Sequence, residues 1–293
     1  RTNPSTSRYP FNAPKFFRNI IKPKPGHVYL YADFVSQEPC IAAYLSKDME
    51  MIRAYNSEEI YLYAPMKTGM LPKLFVESKR KTYGQERNLY KRALLASLYG
   101  QKEQSLSISL NVSFDKAAKL LADITTSYPT YFEWVSKKVA QGLRDGYMKT
   151  KFGWRRNITY GEKINKRSLY NFMCQSHGSE MLRLALIELC EKKFEVNALV
   201  HDGILLHTKD QDIEKKISKI EKIMTDASKI VLGPDSKMRV DFQIIKSNFE
   251  QDESEQLKFE RIFSKLNKNI SVPKIGRVRT LNNAPVQSSY IYT

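Results

Sequence analysis

The chain has 293 residues, with 48 Lys and Arg against 31 Asp and Glu, a formal net charge of +17 and 42% hydrophobic residues. That apolar share can bury a core, which excludes a disordered tail, and the length suits one large or two closely joined domains. No run approaches the roughly 18 apolar residues of a membrane span, the opening ten residues hold no apolar signal core, and Cys40, Cys174 and Cys190 have neither disulfide-framework nor zinc-finger spacing, so a soluble protein of a reducing compartment is expected.

To about Pro14 the chain is polar and reads as an extended loop. Its start at Arg1 rather than Met reads as a fragment or processed product. After the turn signal Pro23–Gly26, the run His27–Asp33 predicts a strand, rich in aromatic and branched residues and ending on an acid. Ser36–Ser46 predicts a helix with Pro39 in its first turn, where the missing N–H costs little. From there to about Thr150 the text is mostly helical, punctuated by Gly69, Pro72, Gly84, Gly100 and Pro129. A further helix is predicted over Ser176–Phe194. In Val196–His207 two apolar runs flank His201-Asp202-Gly203, which predicts a hairpin with Asp202 at its tip. Ile213, Ile217, Ile220, Ile223, Met224, Ala227 and Ile230 recur at helical spacing and predict an amphipathic helix. Met238, Val240, Phe242 and Ile244 alternate as a half-buried strand, and Ser271–Thr293 shows no periodicity and reads as a flexible tail.

The charge is concentrated in two windows. Met66–Arg92 holds eight basic and two acidic residues, and Glu133–Arg167 ten basic and three acidic. A solvated helix face would alternate signs and show i,i+4 pairs; reading these windows as lacking them favours phosphate contact, since neutralising phosphates releases counterions.

Asp33 ends an apolar strand and Asp202 sits between two. Each alone suits a turn. Brought together they would repel each other and bind divalent cations, and two carboxylates holding two Mg²⁺ about 3.5 to 4 Å apart is a recurrent arrangement for nucleotidyl transfer. In Arg87–Gly100, the residues Arg87, Lys91, Leu95 and Tyr99 are four apart and form one helical stripe. Two cations, an apolar platform and an aromatic suit a nucleoside triphosphate. Snorkelling cations beside a core-facing Leu and Tyr would read the same way.

Five segments in order carry a resemblance: Asp33–Ser46, Arg87–Gly100, Gly146–Arg156, Asn171–Gln175 and Val200–Asp202. Over roughly residues 1 to 250 the chain resembles the polymerase region of the family A DNA polymerases, the DNA polymerase I type, with the first, second and last segments similar to motifs A, B and C. The resemblance implies an α+β fold, a right-hand palm with an antiparallel sheet and mostly helical fingers. The palm would take residues 1–46 and 166–270, the fingers 47–165, and the thumb and any exonuclease would lie outside this chain.

It implies template-directed DNA synthesis on primer-template DNA from dNTPs, with two Mg²⁺ for which Mn²⁺ can substitute, by a monomer in the cytoplasm of a bacterial or phage-infected cell. Asp33 and Asp202 would be the metal-binding aspartates, with the Phe34 carbonyl a further ligand. Arg87 and Lys91 would meet the triphosphate, Lys91 also giving a proton to pyrophosphate. Glu38 would be the steric gate against a ribose 2′-hydroxyl, and Tyr99 would occupy the templating-base position before the fingers close. Arg167, Asn171, Gln175 and His201 would contact template and primer, as would Arg1.

The departures from the family pattern are also legible. Leu95 stands where Phe or Tyr is usual, and Gly203 replaces the Glu that follows the motif C aspartate, so a third carboxylate is missing from the pair. Tyr61 stands where a triphosphate-contacting His is common. These features resemble a divergent, phage-like branch. The rival readings are a single-subunit RNA polymerase, which would not be expected to carry Glu38, and a DNA-binding relative that has lost catalysis. His27, His177 and His207 read as surface or core residues, and Cys40 and Cys174 as inert thiols.

Overall fold

Alternation of apolar residues in His27–Phe34 makes a strand, β1, that buries Val28, Leu30, Ala32 and Phe34 on one face and turns Tyr29, Tyr31 and Asp33 to the other. In the computed structural model the described residues are 22–57, 59–72, 82–159 and 166–246, together with 257, 260, 261 and 264. Residues 22–248 fall in one compact unit, and 13–21 with 249–293 fall in another, of which only four residues, in helical conformation, are described. Arg1 and the tail 271–293 lie outside the described residues.

After β1 come helices α1 (Gln37–Ser46), α2 (Met49–Asn56), α3 (Ile60–Lys67), α4 (Gly84–Leu98), α5 (Glu103–Leu110), α6 (Phe114–Ser127) and α7 (Pro129–Asp145). The caps are chemical. Asp48 Oδ1 accepts the Met51 N–H at 3.0 Å to start α2, and its Oδ2 accepts the Tyr131 N–H at 3.0 Å, so one buried carboxylate ties α2 to α7. Ser113 caps α6, and Gly146, at φ 72°, ends α7. A short hairpin, β2 (Tyr147–Lys149) with β3 (Arg155–Asn157), then interrupts the helical text, an element that helical periodicity does not announce.

The chain returns through α8 (Lys166–Tyr170) and α9 (Phe172–Glu191) to β4 (Glu195–Val200), β5 (Gly203–Lys209), α10 (Ile213–Leu232) and β6 (Val240–Ile245). The helix predicted from Ser176 thus starts four residues earlier, and the last strand starts at Val240 rather than Met238. The sheet order is β4-β5-β1-β6 with every neighbouring pair antiparallel. Its apolar face meets α9 and α10 in one core with Leu30, Ile204, Leu206, Met181, Leu182, Ile220 and Met224. The architecture is the expected α+β one: an antiparallel sheet built from the two ends of the sequence around a mostly helical middle.

One expectation fails. The basic window after Glu133 does hold an i,i+4 pair, Glu133 with Lys137 at 2.5 Å on α7. Both side chains are solvent-exposed, so the pair contributes little and leaves the excess of positive charge intact. Among the described residues no helix is long and apolar enough to cross a membrane.

Candidate active site

Antiparallel pairing sets the centre of the site. Asp33 pairs with Gly203 of β5 on one side and with Asp241 of β6 on the other. Directly opposed residues point to the same face, so all three lie on the face away from the core. Asp202 arrives on the two-residue turn between β4 and β5, where Val200 opposes Gly203 and His201 takes a left-handed φ of 61°. The predicted hairpin therefore delivers its tip to the end of β1.

Asp33 Oδ1 is buried and makes no hydrogen bond. Burial above all, then the neighbouring Asp202 and behind it Asp241, pushes the Asp33 carboxyl up to about 8. The Asp33 carboxyl, with an orphaned buried oxygen and Asp202 beside it, fits a divalent cation, which would satisfy that oxygen and cancel the repulsion. Among the described residues no three or more His, Cys, Asp or Glu side chains converge as a metal site. Asp33 and Asp202 would accordingly leave much of a cation's shell to water and substrate phosphates, the usual situation for Mg²⁺.

Gly203 is as the sequence reads, and the structure supplies the reason. A Cβ there would lie 2.5 Å from the Tyr31 hydroxyl and 2.6 Å from its ring, so Tyr31 fills the space a larger side chain would need. A third carboxylate nevertheless stands beside the pair, on the opposite flank, as Asp241. Strand periodicity alone did not single it out, because its importance depends on a register between strands some two hundred residues apart.

The cavity above Asp33 and Asp202 has a volume of about 390 Å³ and is lined also by Phe34, Glu38, Tyr61, Lys91, Leu95, Tyr99, Gln175 and His201. Glu38, in the first turn of α1, accepts hydrogen bonds from the Tyr99 hydroxyl at 3.0 Å and from Gln175 Nε2, and Gln175 Nε2 also lies 3.1 Å from the Tyr99 hydroxyl. Burial raises the Glu38 carboxyl above its ordinary range, and the Tyr99 hydrogen bond works against that rise. At Gly178 of α9 a Cβ would come within 2.6 Å of Gln37 Oε1 on α1, so a larger residue there would displace the Gln37 side chain. Asn171 is buried beside Glu38 and turns its amide toward that carboxylate, which also works against the rise, while its Oδ1 has no partner.

The cationic stripe is real, with Tyr99 as the cap of α4 rather than a helical residue. Lys91 and Leu95 line the cavity. Arg87 stands to one side: its Nε donates to Glu59 at 3.0 and 3.1 Å, and its guanidinium lies 5.1 Å from the centre of the Tyr61 ring. Lys91 Nζ is 5.6 Å from the same ring, and the Tyr61 hydroxyl donates to Ser36 Oγ at 2.9 Å. Tyr61 is thus a platform under both cations. Glu59, with 0% exposure, is the counter-ion, and no local sequence pattern marks it.

Arg167 is exposed on α8 and lines neither this cavity nor its neighbour. Cys40 and Cys174 are buried, and desolvation raises both thiols far out of the reactive range. His207 is buried with Nδ1 3.0 Å from Glu195 and its ring stacked on His27, while His177 is buried with Nδ1 2.7 Å from the Met173 carbonyl, so these histidines are structural as expected.

The family model for DNA polymerase family A matches residues 5–250. The chain belongs to that family. It is 25% identical over 242 residues to DNA polymerase I of Borreliella burgdorferi, covering 77% of this chain and 26% of that protein. To the thermostable DNA polymerase I of Thermus thermophilus it is 22% identical over 236 residues, covering 76% and 28%. The chain spans about a quarter of the length of these curated relatives. In structure it resembles the POL domain of Pol1 from M. smegmatis, solved in complex with DNA primer-template and dNTP, with a TM-score of 0.67 and 18% identity over 79% of this chain and 42% of that one. At that identity the likeness speaks to the fold.

Proposed function

We propose that this family A chain carries the nucleotidyl-transfer centre of a DNA-directed DNA polymerase. The observation that carries the reading is the convergence of Asp33 and Asp202, from opposite ends of the sequence, with Lys91, Tyr61, Glu38 and Tyr99 around one cavity. Asp33, Asp202 and the Phe34 carbonyl would hold Mg²⁺, or Mn²⁺ in its place. When bound, such ions supply charge neutralisation at the reacting phosphate and a lowered pKa for the attacking hydroxyl.

The chain's own residues do the rest. Arg87 and Lys91, both set against Tyr61, receive the triphosphate, and Lys91 holds a proton for the departing pyrophosphate. Glu38, pinned by Tyr99 and Gln175, crowds the sugar edge and selects deoxynucleotides. Tyr99 holds the templating position until a base displaces it, and Asn171, Gln175, His201 and Arg167 contact primer and template, a role the family resemblance also gives Arg1. The palm comprises 1–46 and 166–270 and the fingers 47–165. The partners are primer-template DNA and dNTPs, and the chain acts as a monomer in the cytoplasm.

Primer extension with matched dNTPs and rNTPs tests the reading. The wild-type chain extends with dNTPs, and Glu38→Ala raises ribonucleotide incorporation by tenfold or more on the scale of one lost discriminating contact of about 1.4 kcal/mol. Unchanged sugar selectivity would refute the role of Glu38, and extension with rNTPs alone would point to an RNA polymerase instead.

A further inference from the structure

Beside the first cavity lies a second, of about 300 Å³, which shares Tyr99, Gln175 and Ser179 with it and adds Trp154, Arg156 and Asn171. Trp154 is 41% exposed in the loop that joins β2 to β3. It is held in place by a relay. Its backbone N–H donates to Thr150 Oγ1 at 3.1 Å, and Thr150 Oγ1 donates at 2.6 Å to Glu180, buried on α9. The Arg183 guanidinium stacks 4.3 Å from the centre of the indole. Arg156, on the same hairpin, is fixed by Ser168, donating to its carbonyl at 3.2 Å and to its hydroxyl at 2.7 Å.

A large aromatic left exposed yet so firmly placed is prepared for contact. The chemistry around it narrows the ligand. Asn171, with 2% exposure, turns its amide N–H toward Glu38 and leaves its Oδ1 without a partner in the same cavity. The hairpin and its flanks, from Lys149 to Arg156, are cationic and lie in the strongly basic window Glu133–Arg167. A flat π surface, a buried amide oxygen free to accept, and surrounding positive charge together match a nucleobase on a phosphate chain.

We propose that Trp154 is a base-stacking residue that takes one unpaired base of a DNA single strand into the second cavity, with Arg183 and Thr150 as positioning residues and Asn171 bonding the base edge. The ligand class is single-stranded DNA, read without sequence preference, since every base offers a π face. The inference rests on the polymerase reading in one respect: the strand would be the template.

The test uses the chain's two tryptophans, Trp134 and Trp154. Labelled oligodeoxythymidylate is titrated into the wild type, Trp134→Phe, Trp154→Phe and Trp154→Ala, following intrinsic fluorescence and anisotropy of the label. Quenching is expected in Trp134→Phe and not in Trp154→Phe, with affinity kept near wild type in Trp154→Phe and weakened about 5- to 150-fold in Trp154→Ala, the range that loss of one stacked base implies. Wild-type affinity in Trp154→Ala, or quenching that persists in Trp154→Phe and vanishes in Trp134→Phe, overturns the proposal. Primer extension run in parallel separates the two readings. Extension without Trp154 quenching defeats this inference alone, whereas quenching without extension defeats the polymerase reading and leaves the single-strand site standing.

Discussion

Asp33→Asn should stabilise the metal-free protein, and only above acidic pH. Asp33 is partly buried against Asp202 and Asp241, and its carboxyl is lifted from 3.8 to about 8. Because the folded pKa exceeds the unfolded one, the native state binds its proton more tightly. No penalty exists below pH 4; it grows as pH rises from about 4 to 8 and is complete above 8. A lift of about four pH units at roughly 1.4 kcal/mol each sets an upper limit near 6 kcal/mol. Residual solvent contact and relaxation around the charge reduce this to about 1 to 3 kcal/mol. At roughly 2 to 4 °C per kcal/mol for a chain of this size, Asp33→Asn should raise Tm by about 2 to 12 °C at pH 9 in EDTA and by far less at pH 5. Thermal unfolding followed by circular dichroism reads this directly. Added Mg²⁺ should raise the Tm of the wild type but not of the variant, closing the gap. A gap that is absent at pH 9, or equal at pH 5 and 9, would refute the account of Asp33 as a carboxylate waiting for a cation.

Two further outcomes follow from single contacts. Glu59→Gln keeps the shape but removes the charge that grips Arg87 Nε, so KM for dNTPs should rise about tenfold, the scale of a charge-assisted hydrogen bond, with kcat little changed; an unchanged KM in steady-state extension would mean that Arg87 is placed without it. Gly203→Glu, which restores the acid usual after motif C, should destabilise by about 1 to 3 kcal/mol because the Tyr31 ring must move, and Tyr31→Ala should relieve that cost in the double variant. Denaturant unfolding checks this, and additive losses would argue against the clash.

The parts of the site legible in the sequence are those made by local pattern. An apolar run ending on Asp33, two apolar runs joined by His201-Asp202, and the stripe along α4 each announce their own secondary structure, and the structure brings Asp33, Asp202, Lys91, Leu95 and Tyr99 to one cavity with Arg87 beside it. What escaped depends on pairing at a distance. Asp241 matters because of its register with Asp33, and Glu59 because α3 packs on α4 and sets a buried carboxylate against Arg87. The first turn of α9 carries no amphipathic contrast to mark it, because Phe172, Met173 and Cys174 are all buried. Nothing local in the sequence marks Trp154 as held at a surface, because the relay that holds it runs through Thr150 to Glu180, some thirty residues on.

Single-turnover extension of a primer by the wild type, Asp33→Asn and Asp202→Asn, with primer-template affinity measured on the same samples, tests the central claim most directly. Both variants should lose extension with Mg²⁺ by several orders of magnitude while binding primer-template within a few-fold of wild type, as expected when a transition-state contact rather than a ground-state one is removed. Extension retained by either variant at a rate near wild type would contradict the assignment of these two carboxylates as the catalytic pair.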